Sequence, residues 1–259
     1  MIDEISKIKT VAQYTFYEMY KSRILLNVIL LSVGIVFLSL IVSEISYGSQ
    51  EKVLLDISLA LISLSVNIVA VLFGAGLVSD EIDSRTIYMI LSRPISRGSY
   101  LIGRIIGVSL MLLLNVVLLF IVSVGIYLIL DGQFDKLIVY SIFFSFLEGV
   151  ILLNLVVLFS LFTNKVISIL NVIVIYVSGH VMFELLKIKT VQLNEALSQF
   201  LKAVNFFLPN LSSLNIRDFI LYKHDLTFNY LMSTSFHSMI YILILVIISV
   251  KIMQRKNLD

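Results

Sequence analysis

Glu148 is the residue of this chain best placed to do chemistry inside an apolar environment. It stands in the middle of SIFFSFLEGVILLNLVV, where a carboxylate is costly and faces protein or water rather than lipid. Two readings stay open for it: a translocation-path or proton-linked group, or a protonated, hydrogen-bonded residue that serves packing. Asn154, six residues on, is a second candidate for a translocation path. Like Asn67, Asn115 and Asn171 it also fits the asparagines that hold helices together by hydrogen bonds. His180 offers a pH-sensitive or metal-binding imidazole, against a structural role near the end of an apolar run. Asp56 lies close enough to a run's end to be solvated. The apolar runs hold no paired carboxylates, no H-E-x-x-H and no G-x-S-x-G, which argues against a membrane-embedded protease or transferase. A G-x-x-x-x-G-K-[ST] phosphate loop is absent as well, so no part of the chain is read as binding nucleotide. Cysteine is absent and the three histidines lack ligand spacing, which removes disulfides, thiolate metal sites and thiol nucleophiles.

These residues must be positioned by elements that tolerate lipid. The chain has 259 residues, 59% of them hydrophobic, and a mean hydropathy of +1.03. Those values exceed what a soluble domain carries and imply a single all-α domain that crosses the membrane several times. A net charge of +2 gives no footing for a nucleic-acid partner.

Residues 1–23 place Ile2, Ile5, Ile8, Ala12, Phe16 and Met19 at helical spacing, which predicts an amphipathic helix in the membrane interface. Six apolar runs follow, each tested against the roughly 20 residues that a helix needs to cross hydrocarbon. They are Ile24 to Val42, Val53 to Val78, Ile105 to Leu130, Leu137 to Phe162, Val166 to Phe183 and the short Phe236 to Val250. Residues 79–104 separate the second and third runs, 184–235 separate the fifth and sixth, and 251–259 form a basic tail. The segment 184–235 predicts an external amphipathic or re-entrant helix, then a turn at Pro209 in FFLPNLSSLNIRD. Twelve lysines and arginines fall in the N-terminal segment, the 79–104 island, Lys165 and the tail, whereas the short loops opposite hold only Lys52 and Lys136. Both termini and the island are therefore expected in the cytoplasm, in a cell membrane of the inner or cytoplasmic type.

The island SDEIDSRTIYMILSRPISRGSYLIGR carries seven charged residues in 26 and cannot sit in hydrocarbon. Ser79 or Asp80 can cap a helix whose first turn holds Asp80, Glu81 and Asp83, as the helix dipole favours. Ile82, Ile87, Ile90 and Leu91 would form its apolar stripe. Pro94 ends it, since proline disfavours helical geometry at the preceding Arg93. Ser96, Arg97 and Gly98 then turn the chain toward the next run. A short helix of this kind suits a groove in a soluble partner, with the apolar face as anchor and the charges as selectors. Gly74 and Gly76, just before it, read as positions of close packing or flexing.

The run EIDSRTIYMILSRPISRGSYLIGR also resembles the signature of type-2 ABC transporter permeases. Glu81, Arg85, Thr86, Leu91, Pro94, Ser96, Arg97 and Gly103 occupy the motif positions. Arg104 stands where the family often has lysine, and Arg85 where many members have glycine. The resemblance extends over the whole chain, through six spans, an external loop and a basic tail. It implies a permease subunit of an ABC exporter, paired with a second permease (the same chain or a paralogue) and with cytoplasmic ABC ATPase subunits that hold the ATP and magnesium. It also leaves room for a periplasmic or extracellular accessory protein. On that resemblance Asp80, Glu81, Asp83, Arg85, Thr86, Ile87, Leu91, Pro94 and Arg97 form the coupling helix and its flanks, and this chain has no cofactor and no catalytic residue of its own. Two alternatives remain: an ABC complex doing mechanical or metalloenzyme-maturation work at the envelope, and a proton-coupled secondary carrier built on Glu148. The carrier would need glycine-broken spans and more than one buried charge, which the sequence does not show.

Overall fold

A computed structural model describes residues 2–21, 24–45, 50–84, 95–186, 188, 191, 193, 195–221 and 226–256. Among them are nine α-helices, one 3-10 turn and no strand. The helices are α1 (Ile2–Lys21), α2 (Ile24–Ile45), α3 (Gln50–Asp83), α4 (Arg97–Ile129), α5 (Lys136–Ser160), α6 (Lys165–Leu185), α7 (Glu195–Phe207), α8 (Arg217–Leu221) and α9 (Phe228–Arg255), with a 3-10 turn at Leu211–Leu214. Five of the described helices, α3, α4, α5, α6 and α9, are long and apolar enough to cross a membrane. Helices α1 and α2 meet at 54° and make a sixth when counted as one bent span.

Helix α5 is the most deeply buried of the spans and touches α3, α4, α6 and α9. Its seam with α3 is tight because glycines remove the side chains that would hold the backbones apart. A Cβ at Gly74 would stand 2.5 Å from Val156 and 2.7 Å from Leu153, and Gly149 faces Val66 in the same way. Lipid tails are as apolar as leucine, so helices in a bilayer associate through such close fits and through hydrogen bonds. One such bonded chain crosses three helices: Asn27 of α2 donates to Ser65 of α3 at 3.2 Å, and Ser65 donates to Asn115 of α4 at 3.3 Å. The remaining faces of α2, α6 and α9 leave Leu30, Phe37, Val174, Val177, Leu243 and Ile247 exposed.

Helix boundaries differ from the sequence reading where polar residues were taken as breaks. Helix α3 continues through Asp83, so Asp80, Glu81 and Asp83 close a long helix instead of opening a short one. Helix α4 starts at Arg97, capped by Ser96, whose hydroxyl accepts from the Ser99 amide at 3.1 Å. Helix α9 starts at Phe228, eight residues before the run read from the sequence, and Ser235 fits within it by donating to the Leu231 carbonyl four residues back. At about 1.5 Å per residue, the 34 residues of α3 and 33 of α4 reach about 50 Å, well past about 30 Å of hydrocarbon.

The N-terminal helix does not present the whole stripe read from the sequence. Ala12 and Met19 are buried with Thr15, while Ile5, Tyr14 and Tyr17 are exposed. The buried face is set by α4, where Gly103 meets Val11 and the Ile8 carbonyl, and Gly107 meets Thr15 and the Ala12 carbonyl.

Candidate functional site at the charged end of the bundle

Acidic residues at the C-terminal end of a helix oppose its dipole, so Asp80 and Glu81 need cations. Each has one. Lys165, opening α6, donates to both Asp80 oxygens at 3.0 and 2.8 Å. Arg104 of α4 holds Glu81 Oε1 at 2.6 Å through Nη2, and through Nη1 it meets Glu18 and Thr15 of α1. Tyr100, one turn before Arg104, donates its hydroxyl to the same Glu81 oxygen at 2.6 Å. Arg104 and Glu81 are buried, whereas Glu18 is half exposed. One guanidinium therefore ties α1, α3 and α4 at the point where α3 and α4 leave toward residues 85–94. Beside it lies a cavity of about 730 Å³ walled by Tyr14, Phe73, Glu81, Arg104 and Lys165.

The remaining chain ends gather at this same end. Arg97 donates to the Lys256 carbonyl at 2.7 Å, Lys256 Nζ donates to the Leu161 carbonyl at 2.8 Å, and Ser99 bonds Glu4. The N-terminal helix, both borders of the island, the loop before Lys165 and the basic tail thus form one polar surface. Of the residues read from the sequence, Asp80, Glu81 and Arg97 are brought together here, with Asp83 at the last position of α3. Arg85, Thr86, Ile87, Leu91 and Pro94 lie outside the described residues, as does the helix expected there. Sequence reasoning missed Glu18, Tyr100 and Lys165 as partners and gave Arg104 no role beyond its motif position. The available signal was spacing: Tyr100 and Arg104 lie four apart and share a helix face.

Deeper in the bundle, Glu148 accepts from Asn67 Nδ2 at 3.1 Å and from Ser63 at 3.4 Å, both on α3, while His180 Nε2 of α6 lies 3.6 Å away. Asn154 donates to the Val150 carbonyl of its own helix, and its carbonyl oxygen is buried with no partner among the described residues. At the opposite end, the segment after α7 folds back onto the bundle. Leu211, Leu214 and Ile216 are buried, the Pro209 carbonyl sits where only Gly179 leaves room, and Tyr230 donates to the Ser213 carbonyl at 3.0 Å. Arg217 pairs with Asp56 at 3.8 Å.

The model of a family described as ABC-2 family transporter protein matches residues 11–258. The chain belongs to this family. No curated protein matches it. As an ABC-2 transporter protein it is a multi-pass membrane permease of an ABC transporter, and the family implies association with an ABC ATPase.

Proposed function

We propose that this ABC-2 permease couples ATP hydrolysis on a separate cytoplasmic ATPase to export of a solute across the cell membrane, acting with a second permease. The carrying observation is the Arg104 clamp. It joins the two long helices that border residues 85–94 and adds α1 to them, so a push on the island moves three helices as one body. The apolar residues Ile87, Ile90 and Leu91 would anchor in the ATPase, with Asp80, Asp83, Arg85, Thr86, Pro94 and Arg97 at their flanks. Both termini then lie in the cytoplasm, in agreement with the gathering of basic residues at this end.

For coupling, the ATPase must interact differently with two states of the permease. Closure of the ATPases on nucleotide would displace the clamped ends of α3 and α4, and the α3–α5 seam would transmit the shift to the faces of α2 and α6 left open to a second permease. Glu148 and Asn154 of α5 are the candidates for contact with a polar solute on that path. The exposed apolar faces of α2 and α6 suit a second copy or a paralogue. The test is ATP turnover of the co-purified ATPase. Ile87→Pro should insert and assemble normally yet lose the permease-dependent part of turnover, and unchanged stimulation would count against the coupling role.

A further inference from the structure

His180 fixes the chemistry of the buried Glu148 through its other nitrogen. Its Nδ1 lies 3.2 Å from the Tyr176 carbonyl oxygen. A carbonyl only accepts, so Nδ1 carries the hydrogen and the neutral imidazole turns a bare lone pair at Nε2 toward Glu148 Oε1, 3.6 Å away. Two lone-pair atoms facing each other in a dry site repel, and an ionised carboxylate with no counter-charge there is costly. A single proton resolves both problems, held as imidazolium with carboxylate or as imidazole with carboxylic acid.

The surroundings give this proton a route. Glu148 is 3% exposed, whereas the His180 side chain is 25% exposed. Toward the Asp80 end, the α3–α5 seam is closed by the contact of Gly74 with Leu153 and Val156. Toward the other end, His180 follows Gly179, against which the Pro209 carbonyl packs. Among the described residues, the titratable or charged groups bearing on Glu148 are Tyr176 and His180 of α6 and Arg217 of α8, the last paired with Asp56. From α3 come only the neutral donors Ser63 and Asn67. Helices α4 and α9 add no charge to it.

We propose that Glu148 and His180 form a proton-binding pair, reached through His180 from the end of the bundle that carries Asp56 and Arg217. The pair holds one exchangeable proton and is neutral overall when loaded. Removing the proton leaves a carboxylate that must be hydrated, which requires α6 to part from α3. Because α3 also carries Asp80 and Glu81, proton occupancy acts on the helix that leads to the Arg104 clamp. The proton is thus a second ligand of the permease. This inference does not rest on docking to an ATPase.

The test uses the full chain in lipid nanodiscs, titrated across the interval of about pH 5 to 8 in which histidine changes charge. Infrared absorption reports the Glu148 carboxyl, identified by its loss in Glu148→Gln. Nitrogen resonances report the His180 ring, identified by their loss in His180→Gln. The expected result is that both groups change over one common interval in the wild-type chain, that each moves to a different interval when its partner is replaced, and that Glu148→Asp restores the common one. Two groups titrating at the same pH with or without the partner would overturn the pair. Thermal unfolding of each variant identifies a collapsed fold. Should Glu148→Gln collapse, His180→Gln alone decides the question, by whether the carboxyl signal moves. In vesicles holding the chain in one orientation, both signals should follow the compartment that faces Arg217; following the other compartment would overturn the route.

Discussion

Arg104 reaches across from α4 to Glu81 at the end of α3 and meets it at 2.6 Å, with the same guanidinium closing on Glu18 of α1. The charged island is thereby entered and left by two helices whose ends are fixed to each other. Whatever residues 85–94 touch, displacement of one border displaces the other.

Arg104→Gln should be strongly destabilising, because it breaks the buried Arg104–Glu81 pair. Removing one partner of a buried pair costs about 3–5 kcal/mol, and the half-exposed Glu18 points to the lower end, about 3 kcal/mol. Thermal unfolding in detergent should show the loss. Arg104→Lys should recover part of it, since one ammonium cannot span Glu18 and Glu81 with the geometry of a guanidinium.

The crossing of α1 over α4 depends on Gly107, where a Cβ would stand 2.5 Å from the Thr15 Cβ and 2.7 Å from the Ala12 carbonyl. Gly107→Leu should expel α1 from α4, at a cost of about 1–3 kcal/mol for overpacking, and expose residues 2–21 to protease. Gly34→Leu serves as the control, since nothing lies within 4 Å of its added Cβ, and its cleavage pattern should match the wild type.

The apolar runs showed where helices lie, because about 20 apolar residues admit little else in a bilayer. The helix ends were not legible. Asp80, Glu81 and Ser235 read as ends of runs, yet an acid at a helix end is tolerated when Lys165 or Arg104 reaches it, and a serine when a carbonyl four residues back accepts its hydrogen. The mid-span polar residues were recognised singly. Their pairings were hidden, since Asn67, Glu148 and His180 lie on three different helices and nothing local in sequence links them. Gly103 was recognised as a motif position, while its contact with α1 depends on the path of a helix nearly a hundred residues earlier.

Asn115→Leu should cost little. It removes the acceptor for Ser65 and ends the chain from Asn27, but interhelical bonds of this kind contribute on average about 0.6 kcal/mol and at most about 1.7. Chemical unfolding that reports more than this range would mean that Asn115 does more than join helices.

Asp56 and Arg217 fasten the returning segment to α3 with side chains that are 46% and 31% exposed. A double-mutant cycle with Asp56→Asn and Arg217→Gln should return a coupling of about 0–1 kcal/mol, falling with added salt. A larger, salt-insensitive coupling would show a pair shielded from solvent.

The most direct measurement is cross-linking from the island itself, made clean by the absence of native cysteine. Ile87→Cys, carrying a short bifunctional reagent in membranes that contain the complex, should give an adduct with the ATP-hydrolysing subunit, and its yield should change when nucleotide is added. Labelling of that cysteine by an impermeant reagent from outside the cell, with no adduct to a nucleotide-hydrolysing chain, would contradict the coupling of this permease through residues 79–104.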